Sequence, residues 1–174
     1  MLTETDLLRI EEAFKAGDLA TLRAVIGPEL PKGEVPSDLP PYLVLAIYFS
    51  PPPFLQALID LGADPNFPAE DGFPALIAAL SSGREDRYEV LELLLAAGAD
   101  VQQRGLNDWT PLHWAAAHDD VKAVELLLAH GADPAARTRI DDLATPLEEA
   151  ERLGQRRVAE ILRKASAGTE APDR

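Results

Sequence analysis

The chain has 174 residues, of which 47% are hydrophobic and 26% are charged, a composition that favours one folded domain over a disordered or fibrous chain. Its 30 acidic residues against 16 Lys and Arg residues give a formal net charge of −14, which disfavours binding to nucleic acid or to an anionic membrane surface. Cysteine is absent from the sequence, so disulfides, thiolate metal ligands and cysteine nucleophiles are excluded.

The N-terminal residues predict two short helices. Apolar residues recur at helical spacing from Thr5 to Ile26, and Gly17-Asp18 breaks the pattern once. We expect residues 1–27 to form an N-terminal helical cap and residues 28–40, which include four prolines, to form an irregular connector. Because the first residues are acidic and contain no long apolar run, we expect neither a signal peptide nor a membrane span, and we predict a cytoplasmic protein.

From residue 41 onward the sequence repeats itself. The tripeptide Gly-Ala-Asp follows an apolar run with helical periodicity in three places at nearly constant spacing, at 62–64, 98–100 and 131–133. A second motif, Thr-Pro-Leu, begins at Thr110 and Thr145, with degenerate copies at Pro74 and Pro41. A period of this length is typical of proteins built from stacked units.

One repeat is longer than its neighbours. The motif leucine and the glycine that follows it are equally far apart in the repeats of Leu43 and Leu112, but farther apart between Leu76 and Gly98. We place the three extra residues between the two helices of that repeat, near residues 83–87, because an exposed turn tolerates insertion.

These motifs resemble the ankyrin repeat family, whose 33-residue unit is a turn and two helices with a Thr-Pro-Leu-His signature. The likeness is strongest where Trp109-Thr-Pro-Leu-His-Trp-Ala-Ala leads into residues 124–133. The resemblance implies an all-α solenoid of helix-turn-helix units with short β-hairpin fingers. It covers residues 41–166 as about four repeats, of which the last, with polar Glu148 and Glu149, forms a C-terminal cap; residues 167–174 are predicted to be a disordered tail.

The resemblance also implies where a partner protein would bind. In this family the fingers and the first helix of each repeat line a concave groove with variable side chains. We predict partner contacts from nine residues on such positions: Phe73, Trp109, Arg104, Tyr48, Phe49, Ser81, Ser82, His118 and Arg152. For the aromatic members the alternative is packing within the fold. The finger of Trp109 has Gly105 and Asp108 where the family has Asp-x-x-Gly, which leaves the direction of Trp109 open.

The sequence offers little support for catalysis or metal binding. His113 holds the position of the family's signature histidine, so we expect a structural role for it, and we assign Trp114 to a core or semi-core position. His113 and His118 are five residues apart and do not share a helix face. The sequence contains neither a nucleophile elbow nor a glycine-rich phosphate loop. We therefore predict no catalytic residue, no metal site and no cofactor.

The sequence as a whole predicts a monomeric, non-catalytic module that binds a partner protein. Residues 1–100 carry 6 basic and 17 acidic side chains, net −11, and residues 101–174 carry 10 and 13, net −3, so the partner is expected to present a basic surface. Two alternatives stay open. One is a dedicated inhibitor or immunity-type protein that occludes a basic toxin or enzyme. The other is a small-molecule hydrolase or a metal enzyme, which the motifs argue against.

Overall fold

The structure is a computed structural model that describes residues 2–27, 30, 42–67, 72–140 and 143–169. Within these residues it contains ten α-helices and one short 3-10 helix at Leu106–Asp108, and no β-strand. The α-helices are α1 (Glu4–Ala16), α2 (Leu19–Ile26), α3 (Tyr42–Phe49), α4 (Pro52–Asp60), α5 (Ala75–Ser81), α6 (Arg87–Ala96), α7 (Pro111–Ala117), α8 (Val121–Ala129), α9 (Pro146–Arg152) and α10 (Arg156–Thr169).

The helices pack as a row of pairs. Repeat 1 is α3–α4, repeat 2 is α5–α6, repeat 3 is α7–α8 and repeat 4 is α9–α10, and the two helices of each pair contact each other. The first helices of neighbouring repeats also contact one another in sequence, from α3 to α5, α7 and α9. Such a row is an all-α solenoid, which confirms the predicted fold class.

Small residues allow the first helices to lie close together. Ala78 and Ala79 on α5, Ala115 and Ala116 on α7 and Ala150 on α9 are fully buried. Local sequence also starts these helices at defined points. In repeats 3 and 4 the hydroxyl of a threonine N-cap accepts from the backbone N–H three residues later, and proline follows at the first helical position.

The N-terminal pair α1–α2 continues the row. Gly17 ends α1 in the left-handed conformation, at φ 68°, and Asp18 caps α2 by accepting from the Thr21 N–H, so the break lies where the sequence predicts it. The ring of Phe14 packs edge-on against Phe54 of repeat 1, with centroids 5.9 Å apart. The assignment of residues 1–27 as a cap stays a prediction, and the predicted connector falls almost wholly outside the described residues.

The extra residues of repeat 2 lie between α5 and α6, as the sequence predicts. Arg84 in this turn donates to the carbonyl oxygens of Ser50 at 2.6 Å and Ile47 at 3.3 Å, at the end of α3. Two hydrogen bonds of 2.6 Å to Asp86 hold the guanidinium in place, and those bonds keep the pKa of Asp86 below its ordinary value. The insertion therefore ties repeat 2 to repeat 1.

The fingers are the loops that precede the first helices: finger 3 is residues 99–110, before α7, and finger 4 is residues 132–145, before α9. Single backbone bonds close them as short hairpins, from Gly105 N to Trp109 O at 2.9 Å and from Thr138 N to Ala144 O at 3.0 Å. One bond is too few to make a strand, so the fingers form hairpin turns within the described residues.

The C-terminal helix is longer than predicted. The predicted tail begins at residue 167, but α10 continues to Thr169, because alanine at 165 and 167 favours the helix and no proline interrupts it. The rest of the predicted tail, residues 170–174, lies outside the described residues.

Candidate functional site

Four aromatic rings come together where repeats 2 and 3 meet, and we call Phe73, Trp109, Trp114 and His118 the aromatic cluster. Trp114 lies at its centre. Its ring meets Phe73 at a centroid distance of 5.7 Å and Trp109 at 6.1 Å, both edge-on, and it stacks on His118 at 4.8 Å. Edge-to-face packing of this kind is the arrangement that aromatic quadrupoles favour.

The backbone places these rings side by side. Phe73 and Trp109 each come just before the first helix of their repeat. Trp114 lies on α7, and His118, four residues later, directly follows the last residue of that helix. The imidazole Nδ1 of His118 donates to the Trp114 carbonyl oxygen at 2.8 Å, which fixes the stacked ring. Phe73, Trp109 and Trp114 are half-buried and His118 is exposed, so the cluster forms part of the surface.

The sequence predicts partner contacts from three members of the cluster but not from the fourth, whose predicted semi-core position agrees with its half-buried state. Phe73, Trp109 and His118 are all predicted contacts, but Trp114 is assigned to the core or semi-core because its position is apolar in the family. It is half-buried, and it bridges the other three rings. The signal that points to it is its spacing of four residues, one helical turn, from His118.

Finger 3 explains the direction of Trp109. Asn107 and Asp108 adopt left-handed backbone conformations, at φ 57° and 59°, so the turn is rebuilt where the sequence departs from the family pattern. Arg104 donates to the Asp108 carboxylate at 2.8 Å, and Arg139 of finger 4 donates to it at 2.6 Å. Hydrogen bonding from Arg139 keeps the pKa of Asp108 below its ordinary value despite burial. Asp108 thus joins two fingers and holds Trp109 against Trp114.

A cavity of about 270 Å³ opens between fingers 3 and 4. Trp109 lines it together with Ile140 and Ala144 of finger 4, and Glu149 and Arg152 of α9 lie beside them. Arg152 forms an ion pair with Glu149. The structure therefore brings two predicted contacts, Trp109 and Arg152, into one cavity. A third predicted contact, Arg104, forms an ion pair with Asp108 of finger 3.

The other predicted contacts lie at the ends of α3 and α5. The Tyr48 hydroxyl is 3.2 Å from Ser81 Oγ, which connects repeats 1 and 2, and Phe49 is exposed beside Tyr48. Ser82 Oγ donates to the carbonyl oxygen of Ala79 at 2.8 Å. These contacts give Tyr48, Ser81 and Ser82 a structural role within the fold. A binding role for these three residues and for Phe49 stays a prediction.

A larger cavity, of about 470 Å³, lies on the other side of Trp114 and His118. Tyr88 forms its far wall, with Arg87 and Lys122 4.5 and 4.3 Å from the centre of its ring. The Tyr88 hydroxyl donates to Asp120 at 2.8 Å. These polar groups bind one another across the boundary between repeats 2 and 3, so we assign them a structural role.

His113 has the structural role that the sequence predicts. It is fully buried. Its Nε2 donates to the Ala144 carbonyl oxygen at 3.0 Å, and its Nδ1 accepts from the Thr110 hydroxyl at 2.9 Å. The side chain therefore ties the start of α7 to finger 4. Burial, which disfavours the charged imidazolium, lowers the pKa of His113 below the ordinary value of 6.5.

We expect the protein to lose stability as the pH falls below 6.5, the ordinary histidine pKa. The unfolded chain then binds a proton at His113 that the folded chain still excludes, so the free energy of unfolding decreases until the pH reaches the folded pKa. Urea unfolding at about pH 7.5, 6.5 and 5.5 measures the change.

The variant His113→Gln has no imidazole at this position to titrate. Its free energy of unfolding should therefore change less with pH over that range than the parent's does, whatever the substitution does to stability itself. Carboxylates with lowered pKa values, such as Asp86 and Asp108, contribute only below this range, because their stabilisation is lost as the pH falls through acidic values. If the free energy of unfolding of the variant changed with pH as steeply as that of the parent, His113 would be taking up its proton in the folded state as readily as in the unfolded state.

Within the described part of the chain, no three His, Asp or Glu side chains come together as a metal site would require. None of the described helices combines the length and the apolar character that crossing a membrane requires.

Comparison with known proteins gives one consistent family. A family model described as "Ankyrin repeats (3 copies)" matches residues 43–138 and 86–173. RelA-associated inhibitor of Mus musculus is 38% identical over 86 residues, which are 49% of this chain and 10% of that protein. Ankyrin repeat and KH domain-containing protein mask-1 of Caenorhabditis elegans is 30% identical over 133 residues, 76% of this chain and 5% of that protein.

A third relative, putative E3 ubiquitin-protein ligase XBAT34 of Arabidopsis thaliana, is 39% identical over 85 residues, 48% of this chain and 22% of that protein. The chain therefore spans between 5% and 22% of the length of these three relatives. The likeness lies in the repeats they share.

Proposed function

Since this chain belongs to the ankyrin repeat family, we propose that it is a non-catalytic module that binds a partner protein through the concave surface of its fingers and first helices. Ankyrin repeats are protein–protein interaction modules. The observation that carries the proposal for this chain is the aromatic cluster, in which two tryptophans reach the surface on one repeat. Tryptophan and arginine are among the side chains that most often dominate the energy of protein interfaces.

The proposal predicts that Trp109→Ala weakens partner binding by about 2 kcal/mol, which corresponds to a roughly 30-fold higher Kd. The tryptophan is half-buried on the surface, so its loss should change folding little. The test begins with the tagged chain and its native lysate, from which captured proteins are identified. Calorimetric titration of the purified partner then compares the parent chain with the variant.

A matched control is Leu8→Ala, which removes an exposed apolar side chain on α1, away from the aromatic cluster. The control should bind as the parent does. If Trp109→Ala binds the partner with unchanged affinity while both variants melt like the parent, the aromatic cluster is not the binding surface.

A second candidate function is a dedicated inhibitor of a basic protein. The net charge of −11 over residues 1–100 favours it, because an acidic surface speeds encounter with a basic one. One basic partner captured at stoichiometric yield, and inhibited on binding, would support this candidate; many weak partners would support a general binding module. The predicted monomeric state and cytoplasmic location stay predictions.

A further inference from the structure

The cavity of about 470 Å³ begins where the aromatic cluster ends, because Trp114 and His118 belong to both. We propose that this cavity binds the carboxylate of an Asp or Glu side chain in a partner segment, next to an apolar residue that packs on the aromatic cluster. The inference rests on the proposed function and adds the chemistry of the segment that is bound.

Two of the three acidic side chains that line the cavity are bound within the fold. Asp120 accepts from the Tyr88 hydroxyl at 2.8 Å, from Arg87 at 3.2 Å and from a backbone N–H in the first turn of α8 at 3.1 Å. Asp119 accepts from the backbone N–H of Val158 at 3.3 Å, at the start of α10. The fold therefore uses both carboxylates to join neighbouring helices.

Two basic side chains on the same wall keep their hydrogen-bond donors. Lys122 is exposed, and no carboxylate in the described residues forms an ion pair with it. Arg157 is 72% exposed, and its guanidinium lies 3.7 Å from Asp119, which is too far for a hydrogen bond. A carboxylate that enters the cavity can therefore accept from donors that the described part of the fold does not use.

The Lys122 ammonium is positioned before any partner arrives. It lies 4.3 Å from the centre of the Tyr88 ring, a contact that attracts a cation to the face of the ring. Tyr88 is itself held by its hydroxyl bond to Asp120. A cation whose position is already restricted loses less conformational entropy on binding, and charge-assisted hydrogen bonds to carboxylates are among the strongest in proteins.

The third acidic side chain, Glu125, provides the opposing arm of the test. It is exposed and lines the cavity, and within the described residues it makes neither an ion pair nor a hydrogen bond. A basic segment would use this carboxylate. We favour the acidic segment because contact with Tyr88 positions Lys122, whereas Glu125 has no comparable contact.

The rest of the wall suits a side chain of a protein segment. Leu80, Trp114 and Ala115 supply an apolar surface beside the basic groups, so the methylene groups of Asp or Glu and a neighbouring apolar residue can pack there. The net charge of −14 repels a polyanion such as nucleic acid. A segment with one or two carboxylates avoids most of that repulsion.

A random twelve-residue peptide library displayed on phage serves as the probe, selected against the immobilised full chain. Enriched peptides should combine Asp or Glu with an aromatic or large aliphatic residue. A synthetic copy of one enriched peptide, titrated by tryptophan fluorescence, should bind about tenfold more weakly to Lys122→Gln and to Arg157→Gln. Lys122→Arg, which keeps a cation at the Tyr88 ring, should bind as the parent does.

The matched control is Lys164→Gln on α10, where an exposed lysine pairs with Glu160 and does not line the cavity. It should bind the peptide as the parent does. The inference is overturned if no peptide is enriched, or if Lys122→Gln and Arg157→Gln bind like the control. It is also overturned if Lys- and Arg-rich peptides are enriched and lose binding with Glu125→Gln. In these last two cases, weaker binding of the peptides to Trp109→Ala would leave the proposed function standing.

Discussion

Replacing Leu127 with alanine should lower the free energy of unfolding by about 2–5 kcal/mol. Leu127 lies on α8, and its side chain is fully buried in the hydrophobic core. Its carbonyl oxygen accepts a hydrogen bond of 2.9 Å from the backbone N–H of Ala132, which follows the glycine at the end of the repeat. The substitution removes apolar contacts and leaves a cavity that the stacked helices fill only in part. Urea unfolding followed by circular dichroism measures the change.

The control is the same substitution at Leu153, which is 44% exposed. There the loss should stay within about 0.5 kcal/mol, as for most surface changes. Equal destabilisation by the two variants would mean that the buried face of α8 has been assigned to the wrong side.

Replacing Gly105 with alanine should cost about 3 kcal/mol, the upper end of the range for overpacking. A Cβ at this position would overlap the carbonyl oxygen of Gly72 and lie 2.9 Å from Pro74 Cδ and Ile77 Cδ1. Gly105 has a φ of −119°, which any residue adopts, so the requirement is for space. Because two of the three neighbours are backbone or proline ring atoms, finger 3 has to move away from the loop before α5.

That movement should also break the bond from Leu106 N to Gly72 O, now 2.8 Å, and displace Trp109. Urea unfolding measures the first effect, and a red shift of tryptophan emission measures the second. Gly98→Ala is the control: Gly98 has a φ of 84° but open space around it, so alanine there carries only the conformational cost of roughly 1–2 kcal/mol. A smaller loss for Gly105→Ala than for Gly98→Ala would contradict the crowding seen at finger 3.

The fold could be predicted because its signals are local and repeated. The threonine caps at Thr110 and Thr145 and the glycines after each helix pair act within a few residues, and the period then stacks the units. The position of the extra residues near Gly83 is predictable by a local argument too, because an exposed turn tolerates insertion. The bonds from Arg84 to repeat 1 could not be predicted, because they depend on two carbonyl groups that belong to the preceding repeat.

The candidate site was predicted only in part. Position in the repeat is enough to select Phe73, Trp109 and His118, but it assigns Trp114 to the framework and leaves Trp109 without a direction. The place of Trp114 in the cluster and the direction of Trp109 depend on contacts between neighbouring fingers. These contacts are the fit of Gly105 against Gly72 and the hydrogen bonds that Asp108 accepts from Arg104 and Arg139. Sequence spacing alone does not contain that information.

The polar links between repeats have a mechanical consequence. Arg84 to Ser50, Gln155 to Ala117 and Val158 to Asp119 span 34, 38 and 39 residues, so each crosses a single boundary. A pull applied to the ends of such an array passes from unit to unit in series. The force at which the array yields is set by its weakest boundary, and the units beyond that boundary keep their shape.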